Sequence, residues 1–351
     1  MKNLIIDKSA IKANLDAVKV RARGTQIWAD MTGDAFGLGL LQTARLLRQE
    51  GIRSFAVSDP RDARVLRDAG FTEEHLMMLR STADVKELEE LIEMNVVCTV
   101  GSYEAAVALN GIAEEKKTVV EVQIKIDTGL GRYGFIVTEV DKIASIYRFM
   151  SNLAVVGIFS SYAQSWKSRK ATLQQLNTLK EVISQLNAQG FETGMAHICD
   201  SAALFLYDFD LLDAVRVGTA FSGRVAGGAA QGLTKVGYIE AGIEEVGWFP
   251  KGHRVGSMVL KKPARLAVVS VGYYHGFGIT RYEQGQSLWD RIRALRKRPT
   301  VKLGGTKLRI VGEVGMMHTI LDVTDVQCQV GDVVTMDVDP VNVKGLTRIY
   351  R

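Results

Sequence analysis

The sequence predicts a parallel (β/α)8 barrel followed by an all-β C-terminal domain, on three observations. Eight short, β-rich apolar runs recur with amphipathic stretches between them. Near-continuous apolar strands alternating with helices imply a parallel sheet covered on both faces, and eight such units close into a barrel. Beyond Arg216 the texture changes, and helical spacing gives way to alternating strands and turns. The third observation is length: 351 residues hold a barrel of about 250 residues and a smaller unit.

Taken in order, the eight strands are expected over Gln26–Met31, Ser54–Asp59, His75–Arg80, Val96–Val100, Val120–Ile126, Val155–Ser160, Gly194–Ile198 and Ala214–Val217. Helical spacing or capping residues mark Leu41–Gln49, Pro60–Ala69, Asp84–Glu93, Tyr103–Glu114, Glu139–Met150, Lys170–Ala188 and Ser201–Phe205. The small, Gly-rich stretch Val225–Gly232 has the composition of a linker. After it, strands are expected over Val236–Glu245, Arg265–Ser270, Lys307–Val311, Thr319–Val323 and Val333–Val338, with a turn at Pro250-Lys251-Gly252. The run Leu4–Asp7 can add a strand to this second domain. The expected division is therefore residues 1–9 with the β-domain, a barrel over 10–224, a linker over 225–233 and a β-domain over 234–351.

Composition narrows the function classes. A content of 47% hydrophobic and 24% charged residues describes a well-cored globular chain. Cys98, Cys199 and Cys328 are widely spaced and odd in number, and the five histidines show no ligand spacing, so no metal site is expected. The N-terminus lacks the apolar stretch and cleavage site of a signal peptide, and no window nears the roughly 20 apolar residues of a membrane span. A cytoplasmic protein is expected. The net charge of +5 is mild; the denser patch Arg291, Arg293, Arg296, Lys297 and Arg298 reads as a solvated face, with no nucleic-acid motif beside it.

In such barrels the working residues lie at the C-terminal ends of the strands. Strand one ends in Met31-Thr32-Gly33-Asp34-Ala35-Phe36-Gly37-Leu38-Gly39, and strand five in Lys125-Ile126-Asp127-Thr128-Gly129-Leu130-Gly131-Arg132-Tyr133-Gly134-Phe135. Strand six ends in Ser160-Ser161-Tyr162, strand seven in His197-Ile198-Cys199-Asp200-Ser201, and strand eight in Arg216-Val217-Gly218-Thr219. Each has a bland reading: turn glycines, a helix cap at Asp200-Ser201, a structural ion pair at Arg216, a satisfied core histidine at His197. Their convergence on one mouth weighs the other way. Loops after strands seven and eight often make an anion site, and Ser201, Gly218 and Thr219 occupy them.

At these residues the chain resembles the alanine racemase family, pyridoxal-phosphate enzymes built of a barrel and a β-domain. Lys125 through Arg132, with Gly134-Phe135, is similar to the family's K-x-D-T-G-M-x-R-x-G-F motif. The resemblance implies that Arg132 meets the cofactor's ring oxygen with support from Lys125. His197 with Ser201-Ala202-Ala203 resembles H-x-A-N-S-A, whose serine holds phosphate, with Asp200 in place of the usual Asn. Arg216-Val217-Gly218 resembles R-P-G, where the arginine faces the pyridine nitrogen and the following N–H groups hold phosphate. In the β-domain, Val271 through Phe277 is similar to V-G-Y-A-D-G-Y, which puts the family's catalytic tyrosine on Tyr273. Gly312 through Thr324 follows G-R-V-C-M-D-Q-x-M-V-D-V-T, with Met316-Met317 in place of Met-Asp, and implies a substrate contact at Met316 beside that of Arg132.

The departures fall at the chemical centre. Aligned with V-K-A-D-A-Y-G-H-G, the first strand end has Thr32 where the family has its Schiff-base lysine, and Phe36 where it has tyrosine. Ser161-Tyr162-Ala163 stands near the family's H-F-A, and the phosphate-binding tyrosine has no counterpart near Val343, Lys344 and Gly345. A hydroxyl cannot form an imine and is a very poor base near neutral pH. Pyridoxal phosphate is therefore not expected as a lysine internal aldimine, and Lys125 is a remote substitute on the ring-oxygen side. Three readings stay open. The chain acts on a small amino acid or related anion by altered chemistry, with Tyr273, Thr32, Tyr162, His197 or Asp200 moving protons. It binds an amino acid or pyridoxal-derived ligand without catalysis. Or it remains a weak racemase that accepts a preformed aldimine. The resemblance further implies a homodimer with Tyr273 of one subunit at the barrel mouth of the other.

Overall fold

The computed structural model describes residues 1–228, 232–279 and 299–351. The basic patch at Arg291 to Arg298 and the middle of the expected linker lie outside the described residues. Two compact units are present: Ala10–Lys235, and Met1–Ser9 together with Val236–Arg351.

The first unit is a closed barrel of eight parallel strands. They are Gln26–Asp30, Ser54–Val57, His75–Ser81, Val97–Val100, Val120–Asp127, Leu153–Phe159, Met195–Cys199 and Ala214–Val217. Each pairs with the next in sequence, and the eighth pairs with the first through Ala214↔Gln26 to Val217↔Ala29. The ends match the sequence expectation within two residues. Four-residue strands such as Ser54–Val57 and Ala214–Val217 are buried throughout, as a parallel sheet covered on both faces requires. Trp28, Ala56, Met77, Val97 and Ala214, from strands one, two, three, four and eight, form one core cluster, against which Leu79, Val156 and Met195 pack. This packed interior leaves chemistry to the loops at the mouth.

The helices after the strands begin with recognisable caps. Asp59, Asp84, Ser102, Ser168 and Asp200 each accept a backbone N–H from the first turn that follows. One long helix was not expected from sequence: Lys8–Ala22, ahead of the first barrel strand. Its inward positions include a buried polar residue, Asn14, which blurs the apolar stripe. Asn14 donates to the carbonyls of Phe221 (3.0 Å) and Thr234 (2.8 Å) and accepts from Thr234 N–H (2.7 Å). The side-chain amide thus pins the helix to the segment after strand eight, with its hydrogen-bonding needs met although it is buried.

The second unit is an eight-stranded β-sheet in the spatial order Ala264–Val269, Thr319–Asp322, Thr306–Ile310, Val301–Leu303, Val333–Asp337, Tyr238–Phe249, Lys2–Ile6, Thr347–Tyr350. The long strand Tyr238–Phe249 also pairs with Ala264–Val269, which closes the sheet on itself. The N-terminal strand pairs antiparallel with it and parallel with the C-terminal strand. Val301–Leu303 and Thr347–Tyr350 were not anticipated; the first is only three residues long and the second mixes polar and apolar residues without alternation. No helix among the described residues is long and apolar enough to cross a membrane.

Candidate active site at the barrel mouth

The first strand ends in an unusual backbone. Gly33, Asp34, Ala35, Phe36 and Gly37 all have positive φ, 63°, 60°, 53°, 54° and 81°, so the segment winds through one left-handed turn. Three of the five carry side chains, and each such residue costs about 1–2 kcal/mol relative to the right-handed form. The turn is clamped by Ala35 N–H to Met31 C=O (2.8 Å), Gly39 N–H to Asp34 C=O (3.0 Å) and Leu40 N–H to Asp34 Oδ1 (2.7 Å). Half-buried Thr32 opens this turn, its N–H donating to Asp30 Oδ1 at 3.0 Å. Strain retained at a strand end points to a site.

The fifth strand ends differently. Asp127 Oδ1 accepts from the N–H groups of Gly129 (2.9 Å), Leu130 (2.8 Å) and Gly131 (3.1 Å), and Oδ2 accepts again from Gly131 (3.0 Å). One carboxylate therefore folds the whole Thr128–Arg132 loop. Gly134 (φ 98°) lies against strand five itself, where a Cβ would come 2.8 Å from Asp127 N. Thr128 Oγ1 bonds Ser160 Oγ (2.8 Å), and Gln175 bridges Thr128 Oγ1 to the Ala163 N–H, tying loops five and six together.

Between these loops lies a cavity of about 590 Å3, lined by residues from several strand ends: Asp30, Thr32, Phe36, Ser58, Leu79, Arg80, Lys125, Leu130, Arg132, Tyr133, Ser161, Tyr162, Ala163, Asp200 and Arg216. Four of these side chains are cationic and two are carboxylates, so the cavity favours an anion. Of the residues expected from sequence, Thr32, Lys125, Arg132, Tyr162, Asp200 and Arg216 come together here. Arg80 and Asp30 were missed, although a charge at the C-terminal end of a barrel strand is itself a signal.

His197 does not line the cavity. It is fully buried, stacked on Phe159 (centroids 5.0 Å apart), and bonded to Gln123 Oε1 (2.7 Å) and Arg216 Nη1 (3.0 Å). A guanidinium only donates, so Nδ1 accepts and Nε2 carries the proton given to Gln123. Burial, aided by the Arg216 charge, holds its pKa well below the ordinary histidine value. A neutral, enclosed imidazole orients Arg216 and does not exchange protons with the cavity. Arg216 donates further to Ser160 C=O (3.2 Å) and Ser161 Oγ (2.7 Å).

Ser201, Gly218 and Thr219 lie beside the cavity, outside its lining. Ser201 Oγ accepts from the N–H groups of Gly218 (3.1 Å) and Ala220 (3.3 Å). The ring of Phe36 packs onto Gly218 so closely that a Cβ there would lie 2.1 Å from Phe36 Cε2. Asp200 caps the next helix, accepting from Ala203 N–H, and receives Ser165 Oγ–H at 2.8 Å; burial raises its pKa above the usual carboxylate value. Burial also raises the Tyr162 hydroxyl, which stays protonated. In the other unit, Tyr273 opens the turn Tyr273–His275 and is 51% exposed, and Met316 is 54% exposed.

Lys125 is 4% exposed. Its Nζ lies 5.3 Å from the Tyr133 ring centre and 5.5 Å from that of Phe159. Burial, with Arg216 and Arg132 adding like charge, lowers its pKa to about 8. Among the described residues that line the cavity it is the one primary amine. A pyridoxal phosphate linked at the end of the first strand does not fit these residues. Thr32 offers a hydroxyl, Phe36 presses an apolar ring on Gly218, and the N–H groups of Gly218 and Ala220 are taken up by Ser201.

Comparison with known proteins places the chain. "Alanine racemase, N-terminal domain" matches residues 6–225, and "Alanine racemase, C-terminal domain" matches residues 236–344. The alanine racemase of Thermodesulfovibrio yellowstonii is 27% identical over 330 residues, covering 93% of this chain and 83% of that protein. In solved structures, alanine racemase from Clostridium difficile superposes with a TM-score of 0.86 at 22% identity, over 100% of this chain and 95% of its own. Alanine racemase from Bartonella henselae, solved with covalently bound pyridoxal phosphate, gives 0.83 at 24% identity over 100% and 99%.

Proposed function

The chain belongs to the alanine racemase family, and from that premise we propose that it acts on a small amino acid or related anion by chemistry that does not run through a lysine-bound pyridoxal phosphate. The carrying observation is the end of the first barrel strand, where Thr32 lines a cation-rich cavity whose one lining amine among the described residues, Lys125, comes from strand five. On this reading Thr32 stands at the family's lysine position. Arg132 and Arg216 attract the ligand's carboxylate, with Arg216 held in place by His197. Tyr162 and Asp200 are the protic groups lining the cavity, and Ser201, Gly218 and Thr219 lie beside it.

Titrating the protein, without added cofactor, with D- and L-alanine in a calorimeter tests the reading, followed by recovery of the ligand after long incubation. Binding with a chemically or stereochemically altered ligand is the expected result. A ligand recovered unchanged makes this a binding protein. Turnover that appears only with added pyridoxal phosphate, together with the cofactor's absorbance, makes it a residual racemase.

The proposal includes a homodimer in which Tyr273 from a second copy completes each site. Its support is a tyrosine half-exposed on a turn, and the need to exclude water from a charged cavity if its field is to select a ligand. Light scattering at micromolar concentration is expected to give a dimer. Mixing Tyr273→Phe and Arg216→Ala subunits then restores part of the activity if sites are shared, and none if each subunit is self-contained.

A further inference from the structure

We propose that Lys125 forms a reversible imine with the carbonyl of a small 2-oxo acid, the ligand's carboxylate being drawn by Arg132 and Arg216; this rests on the small-anion reading of the cavity and names its substrate class. Geometry carries the proposal. Lys125 lines the cavity from strand five, its Nζ lies near the ring of Tyr133, which lines it too, and no hydrogen bond or ion pair ties the amine among the described residues. The nearest carboxylate in sequence, Asp127, has both oxygens committed to the N–H groups of its own loop. The Lys125 amine is therefore held by no directed bond, and it shares the cavity lining with Arg132 and Arg216.

The electrostatics favour a nucleophile. Burial, then the Arg216 and Arg132 guanidinium groups, oppose the ammonium form, the Asp127 carboxylate favours it, and the pKa is lowered to about 8. At that value about half of the amines are neutral at pH 8, against fewer than about one in a hundred for an ordinary lysine. The same guanidinium groups that lower it attract an anion. A neutral 2-oxo group without a carboxylate lacks that attraction.

The step balances without an oxidant or a metal. The Nζ lone pair adds to the carbonyl carbon, the C=O π pair moves to oxygen, and a proton passes from nitrogen to that oxygen. The carbinolamine then loses its hydroxyl as water, taking one further proton, while the nitrogen lone pair closes the C=N bond. That proton comes from solvent water, and Asp200, a carboxyl lining the same cavity, is the candidate relay for it.

The test uses the full-length protein with pyruvate as probe, under cyanoborohydride, read by peptide mass mapping. The expected result is one reduced three-carbon acid on Lys125, formed faster than on any exposed lysine, with a rate that climbs as pH rises through about 8. Lys125→Arg and Lys125→Met, each checked for folding by circular dichroism, should lose this adduct while surface labelling continues. Pyruvate binding is followed separately by saturation-transfer NMR without reductant. Binding with no adduct at Lys125, or labelling no faster there than at the surface, overturns the imine and leaves the anion site standing. Absence of binding overturns the anion reading and the imine with it.

Discussion

Two glycine-rich loops face each other across the barrel mouth, and they are held by opposite means. The loop after strand one, Thr32 to Gly39, keeps its shape chiefly by backbone contortion: a left-handed turn containing Asp34, Ala35 and Phe36, clamped by main-chain bonds and by one bond from the Leu40 N–H to Asp34 Oδ1. The loop after strand five, Asp127 to Gly134, is gathered around a single carboxylate that accepts four bonds from three N–H groups. The strained loop presents a hydroxyl at Thr32. The carboxylate-folded loop stands next to the amine, Lys125, and the guanidinium, Arg132. Reactive nitrogen and stored strain thus lie on opposite walls of this mouth.

The largest effect is expected at Asp127. Asp127→Ala leaves three loop N–H groups without their acceptor, and charge-assisted bonds of this kind contribute roughly 1.5–3 kcal/mol each when buried. Partial exposure lowers the total, so a loss of about 3–4 kcal/mol in urea unfolding is expected, together with loss of pyruvate binding. A loss under about 1 kcal/mol would mean that the loop is held by something other than its carboxylate.

Lys125 sharpens the same contrast through pH. Its folded pKa of about 8 lies below the ordinary 10.5, so between those values the unfolded chain binds more protons than the folded one. Stability contributed by this group is fully present above 10.5 and is lost as pH falls through 8. Relative to Lys125→Met, the wild type should gain on the order of 2–3 kcal/mol as pH rises across that window. Parallel stability curves for the two proteins would show an amine that is not buried in solution.

Gly218 probes the floor beside the strained turn. Gly218→Ala drives a methyl into the Phe36 ring, and overpacking of this kind costs about 1–3 kcal/mol. Adding Phe36→Ala should recover part of that cost, and strict additivity of the two changes would separate the residues. The smallest effect is expected at the strain itself. Ala35→Gly, at φ 53°, relieves the left-handed penalty but loosens the unfolded chain, for a net gain of up to about 1 kcal/mol. A clear loss there would mean that the turn is favoured, not strained.

Much of this was legible in the sequence, for identifiable reasons. Strands buried on both faces leave continuous apolar runs, so the eight-strand count and the change of texture after Arg216 were readable. Lys8–Ala22 was not, because Asn14 occupies an inward position whose partners, Phe221 and Thr234, are some 200 residues away. At the site, convergence of Thr32, Lys125, Arg132, Asp200 and Arg216 followed from their places at strand ends. His197 was harder: whether a histidine faces a cavity or the wall behind it depends on Gln123, Phe159 and Arg216, which no local pattern reveals. The positive φ of Asp34, Ala35 and Phe36 was equally hidden, since only Gly33 and Gly37 advertise it.

Whether this barrel mouth handles a small anion without lysine-bound pyridoxal phosphate is read most directly from deuterium uptake by alanine and pyruvate in D2O, followed by proton NMR with protein freed of cofactor. Exchange is expected at the alanine α-carbon or the pyruvate methyl, lost from the pyruvate in Lys125→Met and unchanged by added pyridoxal phosphate. Exchange that begins only when pyridoxal phosphate is supplied would contradict that reading.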